Sequence, residues 1–112
     1  MVNYIYHFTI TTGCHLLGDY LEGIKQDYEK ASKIYKSNCD ESSHSKSCYK
    51  FANYCFLGKG TKQNLENAYS YYLKGCEAGD SDSCLNGGLM CVSNTPANEN
   101  RPKDYVKVWF CS

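Results

Sequence analysis

"CYKFANYCFLGKGTKQNLENAYSYYLKGC", residues 48–76, carries the fold in its spacing. Leu65, Ala68, Tyr69, Tyr72, Leu73 and Cys76 recur at i, i+3, i+4, i+7, i+8 and i+11, which is one face of an α-helix with no proline inside it. Cys48, Phe51, Ala52 and Cys55 share a face in the same way. Between the two faces lies a polar turn. Gly58 suits the left-handed residue that ends a helix, and Asn64 suits the cap that begins one. The "GKG" of this turn lacks the preceding strand and the remainder of a phosphate-loop motif, so it reads as a helix terminator.

Working outward, the unit recurs. Cys14, Cys48 and Cys84 are spaced by 34 and 36 residues, and Cys39 and Cys76 by 37, as are Ala31 and Ala68. Tyr28 matches Leu65, and Tyr35 matches Tyr72. A small residue stands four after each cysteine of the first series, at Gly18, Ala52 and Gly88, where a neighbouring helix can approach closely. A period near 36 residues with two recurrent halves predicts an all-α solenoid of about two helix–turn–helix repeats. Helices are expected at about 14–22, 27–38, 47–57, 64–76 and 83–92. Residues 1–13 are expected to form an irregular N-terminal segment, 14–92 the repeat domain, and 93–112 a degenerate or disordered segment. The period, the "LGKG" turn, the mid-helix alanine and the return "CEAGDSDSC" resemble Sel1-like repeats, a TPR-like family.

Composition bounds the function. The chain has 112 residues, 42% apolar, with 11 tyrosines; leucine, isoleucine and valine are sparse. Twelve basic and twelve acidic residues cancel, so nothing points to nucleic acid or to a strongly charged partner. No apolar run approaches the length of a membrane span. The start, "MVNYIYHFTITTG", is neither a secretory signal nor an arginine-rich transit peptide. Eight cysteines in so short a chain nevertheless point to disulfides or metal, hence to an oxidising compartment.

The cysteines decide the chemistry. Cys39 ends one helix and Cys48 begins the next, across "NCDESSHSKSC"; Cys76 and Cys84 repeat this across "GCEAGDSDSC". At the open end of an antiparallel helix pair, such residues fall at disulfide distance. Zinc competes, but its ligands are commonly two to four residues apart, no Cys-x-x-Cys occurs, and His7, His15 and His44 share no metal spacing. A redox centre competes too, and it also wants a close thiol pair. The staple is the reading adopted, with no metal and no cofactor. Cys55 and Cys91 read as buried apolar residues, while Cys14 and Cys111 read as halves of pairs whose partners are missing. The tyrosines, among them Tyr69, Tyr71 and Tyr72, read as core, and Lys25, Lys30, Lys33 and Lys36 as solvated surface. Folding is expected to be marginal and dependent on oxidation.

The stretch "CHLLGDYLEGIKQDYEKASKIYKSNCDESSHSKSCYKFANYCFLGKG", residues 14–60, resembles the cytochrome c oxidase assembly factor 7 family of cysteine-rich Sel1-like repeat proteins. The "DYLEGI" turn, the loop from Cys39 to Cys48 and the "SCYK" helix start carry the likeness. The resemblance implies disulfides between adjacent helices, a role in assembling respiratory complex IV, and residence in the mitochondrial intermembrane space after oxidative trapping. That last point reconciles many cysteines with the lack of an export signal. The chain reads as a truncated or variant member, because Lys103 stands where the helix alanine of a third repeat falls. The function expected is a non-enzymatic scaffold for protein partners in respiratory-chain assembly, monomeric and without nucleic acid or a membrane span. The alternatives are a thiol-redox protein or carrier using Cys14, Cys55 or Cys91, and a secreted Sel1-like module.

Overall fold

The computed structural model describes residues 2–93, all of whose regular structure is helical. The helices are α1 (Val2–Gly23), α2 (Tyr28–Ser42), α3 (Ser45–Leu57), α4 (Leu65–Glu77) and α5 (Ser81–Ser93). Each packs chiefly on the next in sequence, and the broadest contact is between α3 and α4. This is the nearest-neighbour architecture of a helical repeat array.

Short-range chemistry places the helix ends. The caps Asp27, His44, Asn64 and Asp80 each accept the backbone N–H three residues on, from Lys30, Ser47, Asn67 and Ser83. These bonds satisfy donors that a helix start otherwise leaves orphaned. Gly58, at φ 72°, ends α3 in the left-handed conformation and returns its N–H to the carbonyl of Tyr54.

One boundary is corrected. Residues 2–13, expected to be irregular, are the first turns of α1, which starts at Val2 rather than near Cys14. No proline interrupts that stretch, and one glycine, Gly13, costs a helix only about 1 kcal/mol. Residues 94–112, including Lys103 and Cys111, lie outside the described residues.

Few aliphatic residues are available, so tyrosines build the core. Tyr35, Tyr54, Tyr71 and Tyr72 are buried with Phe51, Ala31, Ala52, Ala68, Cys55 and Met90. Phe51 meets Tyr71 edge to face at 4.6 Å, and Tyr35 meets Tyr54 likewise at 5.6 Å. A buried tyrosine hydroxyl needs a partner. Tyr35 donates to Asp19 at 2.5 Å, Tyr54 to Glu22 at 2.7 Å, Tyr71 to Asp40 at 2.8 Å, and Tyr72 to Asn53. Leu65 departs from the face predicted for it: in the first turn of α4 it is exposed, and Tyr71 is buried from that helix instead. The small residue expected at Gly18 is required, since a Cβ there would stand 2.6 Å from the Tyr35 ring.

Ion pairs connect alternate helices. Glu22 of α1 meets Lys50 of α3 at 2.6 Å, Asp40 of α2 meets Lys74 of α4 at 3.3 Å, and Asp80 before α5 meets Lys46 of α3 at 3.0 Å.

Candidate functional site

The features expected to carry function sit at two joints, where a second helix of one repeat meets the first helix of the next. At the first joint, Cys39 and Cys48 are bonded sulfur to sulfur at 2.03 Å, with Cα atoms 4.8 Å apart. At the second, Cys76 and Cys84 are bonded at 2.00 Å, with Cα atoms 4.6 Å apart. The helix ends come this close because α2 finishes in a left-handed turn at Ser43, one residue before the cap of α3.

The joints share a plan and differ in chemistry. Asn38 precedes Cys39, and Gly75 precedes Cys76; Ser47 and Ser83, both buried, precede the partner cysteines. In the second joint, Gly75 is small because the Ser83 side chain lies against it, and Ser83 donates its hydroxyl to Asp80 at 2.8 Å. In the first joint, Asn38 occupies that space. Its amide donates to Ser47 Oγ at 2.8 Å and to the carbonyl of Thr11 at 3.0 Å. The imidazoles of His15 and His44 complete the cluster, with Nδ1 atoms 2.9 and 3.1 Å from the same Oγ. Burial, with a smaller contribution from Lys50 and Lys46, pulls the His15 imidazole below its ordinary range despite the Asp19 carboxylate.

Two concavities lie on the described array, one of them beside a joint. A cleft of about 260 Å³ opens beside the first disulfide, between Asp40, Ser43, Lys74 and Glu77. A wider groove of about 430 Å³ runs between α3 and α5 and is mostly apolar, with Phe56, Leu57 and Leu89 along it and Asn53 and Asn86 among its polar groups.

Three further cysteines lie among the described residues. Cys14 is half-buried, and Cys55 and Cys91 are buried. Burial pushes the Cys55 thiol up, away from the thiolate that nucleophilic chemistry requires. The Cys91 thiol donates to the Tyr69 hydroxyl at 3.6 Å. Tyr71 and Tyr72 are core, and the four lysines of the second repeat half, Lys25, Lys30, Lys33 and Lys36, are exposed. Among the described residues, no group of three or more His, Cys, Asp or Glu is placed to hold a metal ion, and no helix is long and apolar enough to cross a membrane.

The His15–Ser47–His44 cluster was not visible in the sequence. His15 and Ser47 are 32 residues apart, and no local pattern joins them. The one available signal was the repeat itself, which puts His44 where Asp80 stands a period later.

Comparison with known proteins adds a lineage. The Sel1 repeat pattern matches residues 12–37 and 45–80. A Drosophila melanogaster protein named cytochrome c oxidase assembly factor 7 homolog is 59% identical over 96 residues, covering 80% of this chain and 36% of the relative. The Homo sapiens protein named cytochrome c oxidase assembly factor 7 is 39% identical over 101 residues, covering 87% of this chain and 44% of the relative. The Danio rerio protein of the same name is 44% identical over 82 residues, covering 70% of this chain and 36% of the relative. The chain thus spans about two fifths of the length of the curated relatives it matches.

Proposed function

The chain belongs to the Sel1 repeat family, and from that membership we propose that it is a non-enzymatic factor in the assembly of cytochrome c oxidase, respiratory complex IV. One observation carries the reading: the 59% identity, across 96 residues, to a relative whose name states that role. The site of action is the mitochondrial intermembrane space, where a chain with cysteines at its helix joints is retained once oxidised. Cys39–Cys48 and Cys76–Cys84 are the bonds formed there. Partner proteins bind along the array, with the apolar groove between α3 and α5 offering a surface for an apolar segment. Catalysis by the Cys55 thiol has no comparable support, because that residue is buried and its thiol is shifted up.

The test is expression in cells that lack the full-length relative. The chain should fractionate with the intermembrane space, and its arrival should fail when Cys39, Cys48, Cys76 and Cys84 are replaced by serine. Cytochrome c oxidase activity should recover in part, because the chain corresponds to less than half of its relatives. Stable cytosolic residence with reduced thiols would overturn the assignment. Non-reducing peptide mapping checks the bonds directly, and a Cys55–Cys91 linkage in place of either pair would refute the pairing.

A further inference from the structure

We infer that His44 is a proton-operated latch on the first joint: as a neutral imidazole it caps α3 and holds the helix ends closed around Cys39–Cys48, and protonation releases the cap.

The argument begins with the caps. Three of the four capping side chains accept through oxygen, at Asp27, Asn64 and Asp80. His44 accepts through Nδ1, from the Ser47 N–H at 3.3 Å. An imidazole nitrogen can accept only while it carries no hydrogen, so the capping form of His44 holds its proton on Nε2. A second proton has one place to go, which is Nδ1. There it would face the Ser47 N–H donor to donor, and the first turn of α3 would lose its partner.

The surroundings add to the constraint. Ser47 Oγ is fully buried and has one hydrogen and two lone pairs. Asn38 Nδ2, His15 Nδ1 and His44 Nδ1 all lie within 3.1 Å of it. With Asn38 donating to one lone pair, the single hydroxyl hydrogen serves only one imidazole at a time. The cluster therefore joins α1, α2 and the start of α3 through a fixed number of protons.

The groups that bear on His44 come mainly from α1. The His15 ring lies 4.9 Å from the His44 ring, centroid to centroid, and adds to burial in keeping His44 neutral, while Asp19 favours the charged form; burial is the largest influence, and the outcome is below 6.5. From α2 come the uncharged Asn38 and the Tyr35 ring, which lies tilted against His15 at 5.4 Å between centroids. On α3 itself, Lys46 and Lys50 are engaged by Asp80 and Glu22. An unfolded histidine binds its proton near pH 6.5. Because the folded site binds it less readily, the latch contributes its full stability above about pH 6.5 and loses it as pH falls from there.

The second joint is a control inside the same molecule. Asp80 caps α5 there through a carboxylate oxygen, with no imidazole in the capping bond. The latch goes beyond the proposed assembly role and does not depend on it. The experiment follows hydrogen exchange of the amides of Ser47 and Cys48 against those of Ser83 and Cys84, at pH 7.5 and 5.5, after correction for intrinsic rates. A second readout is the ratio of reduction rates of Cys39–Cys48 and Cys76–Cys84 by a water-soluble phosphine, which forms its oxide as each disulfide becomes two thiols. Opening at the first joint should rise several-fold at pH 5.5, with an upper bound of about ten-fold for one imidazole, while the second joint stays constant. His44→Asn, which keeps an accepting cap without the titration, should abolish the change. A wild-type ratio that is constant with pH overturns the inference. So does an undiminished pH response in the His44→Asn variant, which would assign the titration to His15. The amide readout does not require the disulfides, so failure of the pairing and failure of the latch are told apart.

Discussion

Gly18 sets the distance between α1 and α2, and two opposing magnitudes decide what its replacement does. Alanine gains about 1 kcal/mol of helix propensity over glycine. Its Cβ would stand 2.6 Å from a ring that is held in place by the Asp19 carboxylate. Such overpacking costs about 1–3 kcal/mol. Gly18→Ala should therefore lower stability by up to about 2 kcal/mol in urea titration. A gain would mean that the Tyr35 ring moves aside freely. The carboxylates give a second residue-scale expectation. Burial alone would raise Glu22 and Asp40. Lys50 and Tyr54 at the first, and Lys36, Tyr71 and Lys74 at the second, hold both below their ordinary range. A depressed carboxylate contributes stability above its unfolded pKa and loses it as pH falls through the folded one. The melting temperature should thus drop again below about pH 4.5, separately from the histidine step, and Glu22→Gln should flatten that lower limb. An acid limb unchanged in the variant would remove Glu22 from the account.

At the scale of elements, the two stapled joints should dominate stability. Each disulfide closes a loop of eight or nine residues, which is worth about 2–3 kcal/mol on the chain-entropy model. Replacing Cys39 and Cys48 together by serine should cost about that much, and full reduction about twice as much, read from circular dichroism melts. A melting temperature indifferent to reductant would refute the staples. These elements were largely legible in sequence because their signals are local. The face from Ala68 to Cys76, the Gly58 stop and the Asn64 cap all operate within one or two turns. The first turns of α1 were missed because Val2–Gly13 has no strong apolar period, and helix there is signalled mainly by the lack of a proline breaker. The histidine cluster was missed because it assembles three helices, and contacts across 32 residues leave no local trace.

For the whole molecule, the sequential packing predicts graded stability. A helix in such an array is held by its two neighbours, so α3 and α4, which share the broadest contact, should be the last to open. Native-state hydrogen exchange should show greatest protection in their central turns and less in α5. Uniform protection would instead mean that all five helices open as one unit. The ion pairs between alternate helices do not alter this order, because partly exposed pairs contribute only about 0–1 kcal/mol each. They fix how one repeat leans on the next.

The position of Cys55 has a consequence for the route by which the chain oxidises. It lies seven residues after Cys48, closer along the chain than Cys39. For a flexible polymer, encounter probability scales with the inverse three-halves power of separation, so Cys48 would meet Cys55 about 1.5 times as often as Cys39. Once α3 has wound, those two residues are about 10 Å apart along its axis, beyond the roughly 7 Å that a disulfide spans. Helix winding takes about a microsecond, and thiol oxidation takes seconds or longer. Wherever α3 is wound, the helix therefore acts as a proofreader, holding the tempting partner out of reach of Cys48.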